Sequence, residues 1–243
     1  MLRNNNFTKH TDDERSECTA LVSANIDTYA AELDLTGDRL TKARGLGAAW
    51  LNLLTLARVE EGIKNEAFQE FHLGLNNEIA HYVRLKRHLM SIINEYQRSD
   101  TIVNSYGFND PAPNTYGRYI AAVEQLSVTN DRLVDEGDPR VLPAALVADL
   151  LTRRDSLLLL WDSAMKKNES SLQAFSKKRA LYGEDSVFLS WLFSLARLYW
   201  GDDDPRLRLL GFVPASEVWT SGAPFPAPEH LAHDPATDIF SWD

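Results

Sequence analysis

The sequence predicts an all-α protein: a pseudo-symmetric bundle of about six helices in two three-helix copies, followed by an irregular, proline-rich C-terminal tail. Apolar residues recur at helical spacing over most of the chain, which is typical of amphipathic helices. Glycine and proline are sparse before the C-terminus and cluster at a few places. Two stretches of the chain also match each other at a constant offset, which indicates an internal duplication.

The offset is 104 residues. It superposes Asp100 on Asp204 and the Gly107-Phe108 pair on the Gly211-Phe212 pair. Several leucines of the preceding helices coincide at the same offset. A period this long favours two copies of one helical unit over a solenoid. We therefore divide the chain into four segments: a flexible N-terminus (1–10), repeat 1 (11–110), repeat 2 (111–215) and a Pro/aromatic-rich tail (216–243).

The first copy begins at a capping box, in which Thr11 precedes Glu14 by three residues. The first helix should end near Gly37. A second helix begins after Asp38 and should break at 73–77, where Gly74 is a potential C-cap. A third helix is expected from about residue 78 to residue 98.

The second copy follows the same plan. A helix at 115–134 is followed by a long helix from about Arg140, which should break at 182–185 around Gly183. The last helix, 186–200, is apolar nearly all round, so we expect it to be buried on several sides at the centre of the bundle.

After Pro214 the composition changes, because four prolines between residues 224 and 235 prevent a helix from continuing. Residues 237–243 alternate apolar and polar side chains in a strand-like way. A single strand needs a partner, either in this chain or in another one. Aromatic residues anchor protein interfaces, so we expect the tail to interact with a protein partner or with a second copy. The candidate interaction residues are Trp219, Phe225, Phe240 and Trp242; for the two tryptophans, core packing is an equal alternative.

The amino-acid composition argues against several classes of function. The net charge of −10 and the pI of about 5.1 disfavour binding to nucleic acid or to anionic lipid. We see neither a signal peptide nor an apolar run long enough to cross a membrane, so we expect a cytoplasmic protein. The single cysteine, Cys18, allows neither an internal disulfide nor a cysteine-based zinc site.

The paired long helices and the Gly-Phe turns resemble a group of bacterial duplicated helical-bundle proteins of unassigned role. In some of those proteins the bundle leads into a fibronectin type III-like β-sandwich. The tail, with Pro224–Leu231 and Phe240–Trp242, is similar to the opening of such a sandwich. The bundle resemblance covers about residues 11–215. It implies an all-α fold and brings no catalytic residues with it.

One motif suggests metal chemistry. Glu78 and His81 form a Glu-x-x-His pair, which places a carboxylate and an imidazole on one helix face, as di-iron bundles require. The positions at offset 104, Tyr182 and Asp185, cannot repeat the motif. We therefore favour a solvated helix face at Glu78 and His81.

Other chemistry has less support. Cys18 follows Glu17, which disfavours a reactive thiolate and favours a packing role. The acidic residues 202–204 lack the alternating ligands of a calcium loop and more plausibly end a helix. The basic residues 177–179 are expected to form ion pairs. The sequence thus predicts no catalytic residues and no cofactor. It favours a non-enzymatic structural or interaction protein, with a di-iron-like metal protein using Glu78 and His81 as the alternative.

Overall fold

The structure, a computed structural model, describes residues 5–217 and the backbone of residues 231–234 and 239–242. Within these residues the chain forms six α-helices: Asp12–Tyr29 (α1), Gly37–Glu95 (α2), Asp100–Ser105 (α3), Tyr116–Asp135 (α4), Ala144–Trp200 (α5) and Arg206–Leu209 (α6). A 3₁₀ turn at Ala215–Glu217 follows. Two short strands, Leu231–Asp234 (β1) and Ile239–Trp242 (β2), pair with each other. The predicted all-α class is confirmed.

The predicted breaks at Gly74 and Gly183 are wrong, because α2 continues for 59 residues and α5 for 57. A glycine inside a helix costs only about 1 kcal/mol relative to alanine. Packing along a long helix can offset that cost. A methyl group at Gly74 would lie 3.0 Å from Cδ1 of Leu160 on α5, so this glycine permits close contact between the two helices.

The expectation that residues 186–200 are buried on several sides is also wrong. One stripe of this part of α5 is buried, with Leu189, Leu192 and Ala196 in the core. The opposite side is open, since Val187 is 73% exposed and Leu198 is 80% exposed. The high apolar content therefore does not place this segment at the centre of a bundle.

The chain divides into two compact units, each of which combines distant parts of the sequence. Unit 1 combines the described residues of Met1–Thr55 with those of Lys177–Asp243, and unit 2 consists of Leu56–Ser176. Each unit therefore contains the N-terminal part of one predicted repeat and the C-terminal part of the other.

In each unit α2 and α5 run antiparallel, since residues later in α2 contact residues earlier in α5. In unit 1 the guanidinium of Arg39 lies 4.4 Å from the Trp191 ring centre, and α1 and α6 complete the core. In unit 2 the ring centres of Phe68 and Trp161 are 6.4 Å apart, and α3 and α4 complete the core. The largest fully buried side chains include Phe7, Trp50, Phe71, Tyr106, Tyr119 and Phe212.

Local geometry recurs at the offset of 104 residues. The Thr11 hydroxyl accepts a hydrogen bond from the N–H of Glu14 at 3.2 Å and caps α1. The Thr115 hydroxyl accepts one from the N–H of Arg118 at 3.4 Å and caps α4. Both helices thus begin with the same side chain in the same role.

The two Gly-Phe turns also match. Gly107 and Gly211 have φ values of 69° and 75°, a left-handed conformation that favours glycine. The N–H groups of Phe108 and Phe212 each donate to the carbonyl five residues earlier, at 3.0 and 2.9 Å. Both rings are buried, with 7% and 1% of their surface exposed. Each turn thus holds a buried phenylalanine after a glycine with positive φ.

Candidate functional site

Glu78 and His81 lie on one face of α2, and that face packs against α5 in unit 2. Oδ2 of Asp149 lies 3.4 Å from Nε2 of His81 and accepts a hydrogen bond from Nε of Arg153 at 2.8 Å. Nη1 of Arg153 lies 3.5 Å from Oε1 of Glu78. Only about a sixth of the Glu78 and His81 side chains is exposed, so the expected solvated face is wrong.

Burial controls the ionisation of this cluster. It lowers the pKa of His81, with a further contribution from the nearby Arg153 cation, so the imidazole is neutral at pH 7. Burial and the Glu78 carboxylate raise the pKa of Tyr119, which lies on α4 beside the pair. Oε2 of Glu78 and the Tyr119 hydroxyl are buried, and neither has a hydrogen-bond partner in the described part of the chain.

The cluster contains two carboxylates and an imidazole, which are possible metal ligands, but its positive charge comes from Arg153. The guanidinium binds Glu78 and Asp149 together and so links α2 to α5. In the part of the chain that the structure describes, no group of three or more His, Cys, Asp or Glu side chains is arranged to hold a metal ion. The contacts are those of a partly buried ion-pair network.

A second polar cluster occupies the positions at offset 104 in unit 1. Asp185 stands there for His81, Tyr182 for Glu78 and Arg15 for Tyr119. Asp185 and Arg15 are fully buried. Tyr182 and Asp185 do not repeat the metal motif, yet the same positions hold buried or half-buried polar groups in both units.

Arg15 is held mainly by neutral partners. Its Nη2 atom donates to the Phe7 carbonyl and, at 2.6 Å, to Oγ of Ser186. Its guanidinium lies 4.1 Å from the centre of the Tyr182 ring, a cation–π contact. The Tyr182 hydroxyl donates to the His10 carbonyl at 2.7 Å. Arg15 therefore joins α1 and α5 to the segment that precedes α1.

Asp185 is the buried acid of this cluster. Its nearest cation is Nζ of Lys42, 3.9 Å from Oδ1, and neither carboxylate oxygen has a hydrogen-bond partner among the described residues. Burial raises the pKa of Asp185 to about 6, although Lys42 and Arg15 act in the opposite direction. A carboxyl group that titrates near neutral pH is a candidate functional group.

The other candidates have structural roles. Cys18 is fully buried, and burial raises the pKa of its thiol to about 12, in agreement with a packing role. Asp202 forms an ion pair with Arg197, and Asp204 forms one with Arg206. Lys178 pairs with Asp12 at the start of α1, as expected for an ion-paired basic segment.

The predicted interaction residues lie at the C-terminus. Trp219 and Phe225 fall outside the described residues. The backbone of Phe240 pairs with His233, and that of Trp242 with Leu231, in the antiparallel hairpin. The strand predicted near residue 240 is confirmed, and its partner lies in the same chain.

Among the described helices, none is long and apolar enough to cross a membrane. Comparisons with protein-family models, with curated proteins and with solved structures found no match.

Proposed function

We propose that this chain is a non-enzymatic interaction protein in which the helical bundle presents the C-terminal segment, residues 216–243, to a second copy or to another protein. The observation that carries the proposal is the isolated hairpin of β1 and β2. Its sheet has only two strands in the described part of the chain, with Leu231 opposite Trp242 and Asp234 opposite Ile239.

A two-stranded hairpin is marginally stable in water by itself. Each strand uses one edge for its partner, so among the described residues one row of backbone N–H and C=O groups on each strand is left for a further strand. Strand addition at such an edge is a common mode of peptide recognition, in which backbone hydrogen bonds supply affinity and side chains supply specificity. The hairpin thus fits a docking role.

The experiment compares the full chain with a chain that ends at residue 217, using size-exclusion chromatography with light scattering at several concentrations. The 217-residue chain keeps the hydrogen bonds of Asn5 with Val213 and of Asp203 with Ser216, so its bundle should remain intact. We expect unchanged helicity and melting temperature, together with loss of association.

Aromatic variants refine this test. The double variant Phe240→Ala/Trp242→Ala should reduce association, whereas Tyr199→Ala, an exposed aromatic residue on α5, should not. If the 217-residue chain unfolds, the C-terminal segment belongs to the core and the docking proposal is wrong. If the full chain stays monomeric at every concentration, self-association is refuted and the partner must be a different protein.

A duplication underlies the bundle in this proposal. The matched caps at Thr11 and Thr115 and the matched turns at Gly107 and Gly211 support it. We also place the protein in the bacterial helical-bundle group described above and in the cytoplasm. The net charge of −10 favours protein partners over nucleic acid.

The alternative is a metal-binding bundle. Its specific support is that Oε2 of Glu78 and Nε2 of His81 are buried and have no hydrogen-bond partners within the described residues. Arg153 argues against it, because its guanidinium already pairs with both carboxylates. Metal analysis of the purified protein separates the two functions: stoichiometric iron or manganese that is lost in Glu78→Ala/His81→Ala would overturn the interaction proposal.

A further inference from the structure

Unit 2 contains a cleft that the sequence analysis did not anticipate. It lies between α2, the turn after α3 and the first half of α4, with a volume of about 350 Å³. Small-molecule sites typically have volumes of about 300–1,000 Å³. The polar side chains that line the cleft are Tyr82, Lys86, Tyr106, Asp110, Arg118 and Gln125.

The Gly-Phe turn of unit 1 lies closer to its neighbouring helix than that of unit 2. A methyl group at Gly211 would lie 3.0 Å from the Cα of Cys18, so α1 packs directly on the Gly-Phe turn. A methyl group at Gly107 would meet, as its three nearest atoms, only atoms of the Gln125 side chain. The glycine of the turn thus faces a flexible side chain in unit 2 and helix backbone in unit 1.

The residues around the cleft also differ in charge from those at offset 104. Lys86 corresponds to Ser190, and Arg118 corresponds to Glu14. Two cations therefore line the cleft, whereas unit 1 has a neutral residue and an acid at the matching positions. Neither Lys86 nor Arg118 forms an ion pair with a carboxylate within the described residues, although the whole chain carries a net charge of −10.

Among the described residues, the hydrogen bonds of both cations go to neutral groups. Nζ of Lys86 donates to the Asp110 carbonyl at 3.1 Å and lies 5.2 Å from the Phe108 ring centre. Nη1 of Arg118 donates to the Asn114 amide oxygen at 3.3 Å. Burial lowers the pKa of Lys86, because its charged form has lost hydration, and the Asp110 carboxylate offsets only part of this effect.

The remaining walls are apolar. The rings of Tyr82 and Tyr106, together with Pro111, Pro113 and the methyl groups of Ala121 and Ala122, surround the space. We propose that this cleft binds a small organic anion, with a carboxylate held between Lys86 and Arg118 and a ring-sized apolar body against these walls. The proposal is independent of the docking proposal, since the two share no residue.

Isothermal titration calorimetry of the full chain tests this with three probes of the same size: benzoate, benzamide and benzylamine. Benzoate should bind saturably and at least about tenfold more tightly than the other two, and raised salt should weaken it. Lys86→Met and Arg118→Met should each weaken benzoate by about tenfold. The control Arg87→Met removes an exposed cation that does not line the cleft and should change nothing.

Asp110 is the one carboxylate among the described residues that line the cleft. Its removal should therefore change the affinity for an anion and for a cation in opposite directions. Asp110→Asn should tighten benzoate, because it removes a like charge, and should weaken benzylamine. Equal binding of the three probes, preferential binding of benzylamine, or no saturable benzoate binding would each overturn the proposal. Arg118 is exposed, so its variant should fold even if the Lys86 variant does not.

Discussion

Replacing Asp185 by Asn should change how the stability of the protein depends on pH. Burial raises the pKa of this carboxyl group from its ordinary value of 3.8 to about 6. Well below pH 3.8 the group is protonated in both the folded and the unfolded chain, so its ionisation makes no contribution to stability. As the pH rises to about 6, the unfolded chain releases a proton that the folded chain retains, so the free energy of unfolding falls.

Each pKa unit corresponds to about 1.4 kcal/mol, so the folded state should lose about 3 kcal/mol over this range. Asn does not titrate, so the free energy of unfolding of the variant does not fall for this reason. Urea unfolding at a series of pH values measures the free energy of unfolding of both proteins. Their difference, wild type minus Asp185→Asn, should fall by about 3 kcal/mol between about pH 3.5 and pH 6.5.

The neighbouring residue Glu184 provides the control, because its side chain is exposed. The difference between wild type and Glu184→Gln should change by less than about 1 kcal/mol over the same range. A flat or rising difference for Asp185→Asn would refute the reasoning. It would mean that Lys42 and Arg15 stabilise the carboxylate more than its burial destabilises it.

Three further outcomes are expected. Phe212→Ala should cost about 3–5 kcal/mol in chemical denaturation, whereas Leu209→Ala, at a half-exposed side chain, should cost far less; similar costs would contradict the buried role of the ring. Gly211→Ala and Gly107→Ala should each lower stability by at least about 1 kcal/mol, because both glycines have positive φ. The Gly211 variant should lose more, since its methyl group meets helix backbone rather than a flexible side chain. Cys18 should react with iodoacetamide at pH 8 at least about a thousandfold more slowly in the folded protein than after unfolding, and rapid native alkylation would show that the thiol is accessible.

Local signals predicted the helix starts and turns but not the helix lengths. The caps at Thr11 and Thr115 and the turns at Gly107 and Gly211 depend on hydrogen bonds within a few residues, which the sequence displays directly. At Gly74, by contrast, α2 continues and packs closely against Leu160, a residue far away in the sequence. Local glycine penalties of about 1 kcal/mol cannot be weighed against such packing before the partner helix is known.

The buried polar cluster of unit 1 was missed for a similar reason. Asp185 carries no motif, and its burial depends on α1 and α2. One signal was present in the sequence: Arg15 lies on the same helical face as Cys18, Val22 and Ile26, all of which are buried. A cation on an otherwise apolar face indicates a buried partner elsewhere in the chain.

Each predicted repeat is divided between the two units, which limits the ways in which such a chain could have arisen. A polypeptide of half this length would hold the N-terminal part of one core and the C-terminal part of the other, so alone it could complete neither. Two copies that exchanged these parts would complete both cores, but only at concentrations that favour the dimer. Fusion of the copies through residues 106–115 would make the missing half permanently available, since a short link keeps its effective concentration high. After such a fusion the two cores would be free to diverge, as the different neighbours of Gly107 and Gly211 illustrate.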